Sequence, residues 1–141
     1  MTKLRFERYD HASLRSQGFH VSEAEDIAFG TDPDLKLWMT VDEGQTLAVF
    51  GYRILKEGYA EALLALHDMG KKYVSLPHVV REAFRHTRTS LRLYRAQAVV
   101  DAEDHAARKF AKYIGLEFEG HLRKAGINRE DIILYAWVGD E

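Results

Sequence analysis

Four arginines recur at helical spacing in the second half of the sequence. They fall at positions i, i+4, i+7 and i+11 and are Arg81, Arg85, Arg88 and Arg92. Arg95 extends the series, and His78 and His86 lie beside it. Such a face can attract phosphates, nucleic acid or an acidic protein surface. Because no aromatic residue interleaves the arginines, a base-stacking platform is not indicated, and we favour a solvated face that pairs with acidic neighbours.

Residue types that bind metals or act as nucleophiles show no comparable pattern. The chain has no cysteine, which excludes a disulfide framework, a thiolate zinc site and a cysteine nucleophile. Its seven histidines show no His-x-x-x-His or Glu-x-x-His spacing on one helix, so we expect no metal site. The formal net charge of -2 gives no overall argument for a nucleic-acid partner, which we do not expect.

The length and composition of the chain fit one small domain. With 141 residues, 46% of them hydrophobic, we expect a single domain over residues 1–141. The first residues carry charges where a signal peptide has an apolar stretch, and no run approaches about 18 apolar residues. We therefore expect a cytoplasmic protein that makes no membrane contact.

Strand and helix patterns alternate along the chain, which indicates an α/β or α+β fold. Alternating side chains predict a first strand near Phe6, and capping signals predict two helices that end near Gly18 and Gly30. Period-two patterns then predict two antiparallel strands over residues 35–42 and 46–55.

Residues 59–68 permit two interpretations. The segment Tyr-Ala-Glu-Ala-Leu-Leu-Ala-Leu-His-Asp is rich in helix formers, and propensity alone predicts a helix. The short turn at Gly58 favours a strand instead, and so does the preceding hairpin, which needs a third partner along its edge. We predict a strand, which completes a three-strand meander.

The remaining elements have firmer patterns. A helix is predicted from Pro77, with a buried face formed by Val80, Ala83, Phe84, Thr87, Leu91 and Tyr94. Residues 97–101 are predicted to form a short strand buried on both faces. Asp101 is predicted to cap the next helix, whose apolar face is Ala106, Ala107, Phe110, Ala111 and Ile114. Residues 116–122 and 132–138 are predicted to form a closing strand pair.

The element order and one segment near the C-terminus resemble the GNAT superfamily of N-acetyltransferases. In residues 99–120, Asp104 stands at the Asn position of the family's Asn-x-x-A motif, Leu116 replaces the Phe after the glycine, and the Glu-Gly pair is intact. The Phe-x-Lys-x-Ile-Gly pattern at residues 110–115 is similar to small acyltransferase-like proteins of short-tailed bacteriophages, some of them internal virion proteins. The resemblance implies an α/β, GNAT-like fold with a mixed, mostly antiparallel sheet of about seven strands and about four helices.

The resemblance also implies where acetyl-CoA binds. In the family a glycine-rich loop and the next helix N-terminus hold the CoA pyrophosphate. The equivalent residues 67–77 have one glycine of the expected pair, and the implied contacts are Gly70, Lys71, Lys72 and Ser75. The alternative is a surface turn whose lysines are solvated. The pantetheine arm is implied to lie between the fourth and fifth strands, against Leu64, Ala65, Leu66 and Asp104. Asp104 equally fits a purely structural role at the start of its helix.

Acetylation of an amine needs a base for the ammonium proton and an acid for the departing thiolate. The base candidates near the implied cleft are Glu61, His67 and Asp68, although His67 also fits a structural role. Many family members use a Tyr as the acid where this sequence has Ala111. Tyr113 is the nearest phenol and points to a different side of the helix.

The predicted function is therefore acetyl transfer from acetyl-CoA to an amine by a GNAT-like protein of phage type. The predicted acceptor is an amine on a protein, such as a host bacterial protein, and the location is the host cytoplasm or the virion. The alternative is a catalytically degenerate phage protein with the same fold, acting as a virion component or as a host-takeover factor that binds a bacterial enzyme. The single glycine in the loop and the absent Tyr favour this alternative.

Overall fold

The computed structural model describes residues 5–8, 34–42, 45–66 and 75–139. These residues form seven strands and two helices. In chain order the elements are β1 (Arg5–Arg8), β2 (Leu35–Asp42), β3 (Gln45–Lys56), β4 (Tyr59–Leu66), α1 (Leu76–Ser90), β5 (Arg95–Asp101), α2 (His105–Tyr113), β6 (Glu117–Leu122) and β7 (Ile132–Val138).

All seven strands belong to one sheet with the order β1-β2-β3-β4-β5-β7-β6. β1 to β4 pair in antiparallel succession, and β5, β7 and β6 form a second antiparallel group. The two groups meet where β4 and β5 run parallel. The predicted mixed, mostly antiparallel sheet of about seven strands is thus confirmed. The two helices predicted to end near Gly18 and Gly30 lie outside the described residues.

The strand interpretation of residues 59–68 is confirmed as far as Leu66. β4 pairs with β3 from Tyr59 to Leu66, after a turn in which Gly58 has a φ of 81°. Cross-strand pairing along this whole length outweighs the helix propensity of the segment, because propensity differences are small beside tertiary burial. Residues 67 and 68 lie outside the described part of the chain.

Both described helices pack on the same face of the sheet. Phe84 of α1 contacts Phe50 and Tyr52 of β3, with ring centroids 6.1 and 6.0 Å apart. The buried hydroxyl of Tyr52 lies 2.7 Å from Oγ1 of Thr87, which itself donates to the carbonyl of Ala83. This aromatic layer continues towards α2 through one core cluster, so the helices and the sheet centre form one hydrophobic unit.

The predicted buried face of α1 is correct from Val80 to Thr87, and Leu91 at the C-cap still packs against the core, but the prediction is wrong for Tyr94. The helix ends at Ser90, because Arg92 adopts a left-handed conformation with a φ of 53°. The N–H of Leu93 then donates to the carbonyl of Arg88 at 2.9 Å, which closes the last turn. Tyr94 therefore lies past the helix, with 37% of its surface exposed.

The early helix end also breaks the predicted arginine series, because Arg92 and Arg95 are not on α1. Arg88 lies over the rings of Trp137 and Phe84, with its guanidinium carbon 4.4 and 5.1 Å from their centroids. Arg95 is on β5 and donates two hydrogen bonds to Glu119, at 2.6 and 3.1 Å. Arg88 and Arg95 are thus engaged in separate contacts, and the helical series of arginines ends with Arg88 on α1.

Two expectations around β5 are wrong. The strand is not buried on both faces, since Val99 is 49% exposed. Asp101 does not cap α2, because the turn of residues 102–103 separates it from the helix. Its carboxylate accepts from the N–H of Glu103 instead, at 2.9 Å. The cap is Asp104, whose Oδ1 accepts from the N–H of Ala107 at 3.0 Å.

Candidate functional site

The parallel pair at the centre of the sheet is very short. β4 and β5 pair only from Tyr59 with Arg95 to Glu61 with Gln97. β4 then continues to Leu66 and β5 to Asp101 without pairing to each other. The facing backbone groups of the two strands therefore have no ladder partner across the gap, and the sheet is open at this point.

A cleft of about 580 Å³ fills this opening. Residues 62–64 of β4 form one wall, residues 98–101 of β5 form the other, and α2 covers it. Because side chains alternate along a strand, Leu63 and Val99 lie on the opposite sheet face from Ala62 and Ala98. All four line the same cleft, so residues of both sheet faces border the gap between the strands.

The cleft changes in character from its mouth to its inner end. Asp101 and Asp104 lie at the mouth, where β5 ends and α2 begins, and both are exposed. The inner end is lined by buried side chains without polar groups, namely Phe50, Ala111, Ile114 and Leu116. A mostly apolar cavity with a few polar groups at one end is the usual form of a small-molecule site.

α2 presents several short side chains to the cleft, beside Phe110 and Ile114, which also line it. Three alanines of the helix line the cleft, and they are Ala106, Ala107 and Ala111. Larger side chains at these positions would pack against Ala62 and Ala98 and fill the gap. The same alanines belong to the apolar face that the sequence predicts; Ala111 and Ile114 of this face are part of the hydrophobic core, whereas Ala106 and Ala107 lie at the less buried start of the helix.

Asp104 has a definite structural role, since its side chain caps α2. It also lines the cleft mouth. Its position is therefore compatible both with the structural role and with the contact to a pantetheine arm that the sequence leaves open. A carboxylate has no hydrogen to donate, whereas the amide of an Asn at this position would have two. The cap therefore contributes negative charge at the mouth and no donor.

The structure brings only some of the predicted site residues to the cleft. Leu64 and Asp104 line it. Ala65 and Leu66 continue β4 beyond it, and their side chains are not described. Ser75 immediately precedes α1, and its side chain makes no capping hydrogen bond. Predicted residues outside the described part of the chain are His67, Asp68, Gly70, Lys71 and Lys72.

The other two predicted catalytic residues are not among the residues that line the cleft. Glu61 belongs to the last β4–β5 pair, and its Oε1 lies 3.9 Å from Nη1 of Arg53. Tyr113 ends α2 and lies under Arg81, whose guanidinium carbon is 5.3 Å from the ring centroid. Within the described lining the titratable groups are Asp101 and Asp104 alone. Glu61 and Tyr113 thus lie outside the described lining of the cleft.

The sequence interpretation missed most of the lining. The family resemblance placed the arm between β4 and β5, but it named no individual contact residue on β5 and none among the alanines of α2. One available signal was the alanine content of the apolar face of α2, because alanines beneath a helix leave space. The exposure of Val99 had no comparable signal, since it depends on how far β4 and β5 diverge.

The described residues contain no group of three or more side chains suited to a metal ion. Among the described helices, none is both long enough and apolar enough to cross a lipid bilayer.

Comparison with known proteins identifies the fold. No protein-family model matches the sequence, and no curated protein matches it. Solved structures do match. A protein assigned as a phosphinothricin N-acetyltransferase superposes with a TM-score of 0.79 at 14% identity, over 99% of this chain and 100% of that one. A chimera of spermidine N-acetyltransferase SpeG from Vibrio cholerae and hSSAT has a TM-score of 0.79 at 14% identity, over 96% and 95% of the chains. The dodecameric spermidine N-acetyltransferase from Vibrio cholerae has a TM-score of 0.74, also at 14% identity, over 96% and 93%.

The chain therefore has the GNAT fold of these N-acetyltransferases, and the fold class implied by the sequence is confirmed. An identity of 14% supports a shared fold but no conclusion about a shared function. Function has to be argued from the cleft itself.

The cleft fits the pantetheine arm of an acyl-CoA. Such an arm is a narrow chain of apolar links and amide groups, so it needs an apolar wall beside free backbone hydrogen-bonding groups. The unpaired edges of β4 and β5 supply such groups beyond Glu61 and Gln97. The alanines of α2 and Ala62 supply the apolar wall.

Proposed function

We propose that the protein binds acetyl-CoA or a related acyl-CoA in the cleft and transfers the acyl group to an amine. The observation that carries this proposal is the end of β4–β5 pairing at Glu61 and Gln97, which opens a cleft across the sheet. The fold shared with N-acetyltransferases supports it. A single domain over residues 1–141 is part of the proposal.

The chain's own contribution is mainly positioning. The unpaired strand edges bind the amide groups of the arm, and α2 excludes water from the apolar side. The opening on the face of Leu63 and Val99 gives an amine access to the thioester. Bound acyl-CoA supplies an activated acyl group. The amine nitrogen bonds to the carbonyl carbon, the carbon–sulfur bond breaks, and the amine proton ends on the sulfur or in water. Holding the two reactants in this geometry lowers the entropic part of the barrier.

The anionic nucleotide of CoA would lie outside the cleft mouth, near the start of α1. β4 leads into α1, so the N-terminus of α1 lies at the same edge of the sheet as the mouth. Gly70, Lys71, Lys72 and Ser75 remain our candidates for this contact. Glu61, His67 and Tyr113 remain candidates for proton transfer, and for Glu61 and Tyr113 this requires movement towards the cleft.

Calorimetric titration of the full chain with CoA and with acetyl-CoA tests the proposal. Ala106 is exposed and lines the cleft, so Ala106→Phe fills the cleft from the surface without disturbing buried packing. His105→Phe adds a similar ring to the same helix outside the cleft, as a matched control. We expect the native protein and His105→Phe to bind both ligands, and Ala106→Phe to lose at least about tenfold in affinity. Absence of heat at millimolar CoA, or equal binding by both variants, would contradict the proposal.

A second candidate function is binding of an acyl-CoA without transfer. It is favoured by the cleft lining, where the described titratable groups are two exposed aspartates at the mouth. Thiol release with a panel of amines distinguishes the two functions, because a binding protein releases no CoA above the rate of hydrolysis. The phage subgroup, a protein as acceptor, and a host-cytoplasm or virion location remain predictions of the sequence resemblance.

A further inference from the structure

A network of polar side chains connects β4, β5 and β6. The hydroxyl of Tyr59 donates to Oε1 of Gln97 at 2.7 Å, and Nη2 of Arg95 donates to the same oxygen at 3.1 Å. Arg95 also donates two hydrogen bonds to Glu119, and its guanidinium carbon lies 5.6 Å from the centroid of the Tyr59 ring. We call these four residues the Arg95 network, because one guanidinium contacts a phenol, an amide and a carboxylate from three strands.

The Arg95 network lies on the sheet face away from the core under the helices. Ala96, between Arg95 and Gln97, is fully buried in the core cluster. Because side chains alternate along a strand, Arg95 and Gln97 lie on the other face. None of the four residues of the network lines the cleft. The network can therefore affect a ligand in the cleft only through the strands that carry it.

The Arg95 network is located where the gap between β4 and β5 begins. Tyr59 and Arg95 form the first pair of the short parallel ladder, and Gln97 belongs to the last pair, opposite Glu61. Beyond Gln97 the two strands no longer pair, and residues 98–101 line the cleft. A ladder this short contains few backbone hydrogen bonds, so a side-chain link between the strands is a substantial part of their attachment.

Glu119 reaches Arg95 from a bulge in β6. Phe118 and Gly120 pair with consecutive residues of β7, so Glu119 is an extra residue on its strand. A bulge changes the direction of the side chains that it contains. The carboxylate of Glu119 extends across β7, which separates β6 from β5, and accepts from two nitrogens of one guanidinium. Such a two-bond ion pair fixes the orientation of the arginine more strictly than a single contact between charges.

Resting on the proposed function, we propose that Arg95 and Glu119 are positioning residues for the binding of acyl-CoA. Glu119 orients the guanidinium, and the guanidinium and the Tyr59 hydroxyl together hold the side chain of Gln97 at the last pair. The network thereby fixes the point at which β4 and β5 separate. That point determines which backbone groups face the gap without a partner. A ladder that lengthens or opens by one pair moves these groups relative to the arm, and the arm then loses hydrogen bonds.

Calorimetric titration of the full chain with CoA tests this role. Glu119→Gln removes the ion pair, and Tyr59→Phe removes only the hydroxyl that bonds to Gln97. Each should weaken CoA affinity by about three- to tenfold, the usual range for residues that influence a site without touching the ligand. Glu82→Gln is the matched control, because the Glu82 side chain is 41% exposed against 36% for Glu119 and pairs with Arg85 on α1. It should keep the native affinity.

Amide hydrogen exchange without ligand separates positioning from overall stability. Residues 59–61 and 95–97 should exchange at least about threefold faster in Glu119→Gln and Tyr59→Phe, while the ladder between β2 and β3 keeps its native rates. Native CoA affinity in both variants, the same loss in Glu82→Gln, or exchange that rises equally in both ladders would overturn the positioning role and leave the proposed function standing. Absence of CoA binding by the native chain would overturn both.

Discussion

At the scale of single residues, the Tyr52 hydroxyl shows how a buried polar group joins helix and sheet. It contacts Oγ1 of Thr87 at 2.7 Å inside the core, and burial raises the pKa of Tyr52 well above its usual value. The neutral phenol is thus the form that the fold stabilises. Because the folded-state pKa is raised, this stabilisation is complete below the unfolded pKa of about 10 and is lost as pH rises above it.

Tyr52→Phe should therefore destabilise the protein by about 1 kcal/mol at pH 8, through loss of this hydrogen bond. The difference between native protein and variant should shrink towards zero by about pH 11, because only the native unfolded chain gains from ionising this phenol. Urea unfolding at both pH values measures the difference. Tyr113→Phe, at an exposed position, is the control and should change stability by less than about 0.5 kcal/mol. A pH-independent difference for Tyr52→Phe would contradict this account.

Asp104 combines a helix cap with a position at the cleft mouth, and two substitutions separate these roles. Asp104→Asn keeps the cap, removes a negative charge and adds amide donors, so CoA affinity should rise by roughly two- to fivefold at unchanged stability. Asp104→Ala removes both the cap and the charge and should cost about 1 kcal/mol of stability. Thermal melts and CoA titration measure the two effects. A weaker CoA affinity in Asp104→Asn would show that the carboxylate itself contributes to binding.

At the scale of elements, the start of β4 depends on Gly58. Its φ of 81° suits glycine, and its carbonyl accepts from the N–H groups of Tyr94 and Arg95. These bonds bring the start of β5 beside β4, so they fix the point from which the strands diverge. A Cβ at this position would lie 2.5 Å from the ring of Tyr94.

Gly58→Ala should therefore cost about 2 kcal/mol or more, from left-handed strain and the contact with Tyr94. Gly120→Ala is the control, because a Cβ there meets no atom within 4 Å, and its stability should change by less than about 0.5 kcal/mol. Thermal unfolding measures both. Equal melting temperatures for the two variants would contradict the role assigned to the Gly58 turn.

The sequence predicts which segments form helices and strands more accurately than it predicts where those helices and strands begin and end. The first two strands of the meander and both described helices follow from local periodicity, which depends on burial of one face, whereas β4 follows from the Gly58 turn and the open edge of the hairpin. The end of α1 does not follow from periodicity, because Leu91 and Tyr94 continue the apolar spacing while the left-handed Arg92 stops the helix. The sequence does not distinguish Asp101 from Asp104 as the cap of α2, because both have the same side chain. The turn between them determines which carboxylate reaches the first N–H groups of the helix.

The cleft could be predicted only through the family resemblance. A short, nearly continuous apolar run predicts a strand over residues 97–101, but it contains no information on where pairing with β4 stops. That distance is set by the relative direction of two strands that are far apart in sequence. The resemblance supplied this element of the site, and it also pointed to Leu64 and Asp104 at its edge.

At the scale of the whole molecule, one core cluster spans the meander, both described helices and the closing strands. We therefore expect residues 1–141 to unfold as one cooperative unit. In differential scanning calorimetry a single transition should appear, with the calorimetric enthalpy equal to the van't Hoff enthalpy. Two resolved transitions, or a calorimetric enthalpy well above the van't Hoff value, would contradict a single domain.

The two features on which the proposed binding rests do not depend on high sequence identity to the proteins that share the fold. The open strand pair is a property of the backbone, and the apolar wall requires only small residues on α2. Neither feature requires a particular catalytic side chain. Binding of the arm is thus the property that this chain's architecture supports most directly, and transfer depends on proton donors and acceptors that reach the thioester.

The most direct measurement is a crystal structure of the full chain grown with CoA. We expect electron density for the pantetheine arm between β4 and β5, with its amide groups bonded to the strand edges beyond Glu61 and Gln97. Density for CoA elsewhere on the molecule would contradict the proposed binding site, and so would strands β4 and β5 paired along their full length with side chains filling the gap.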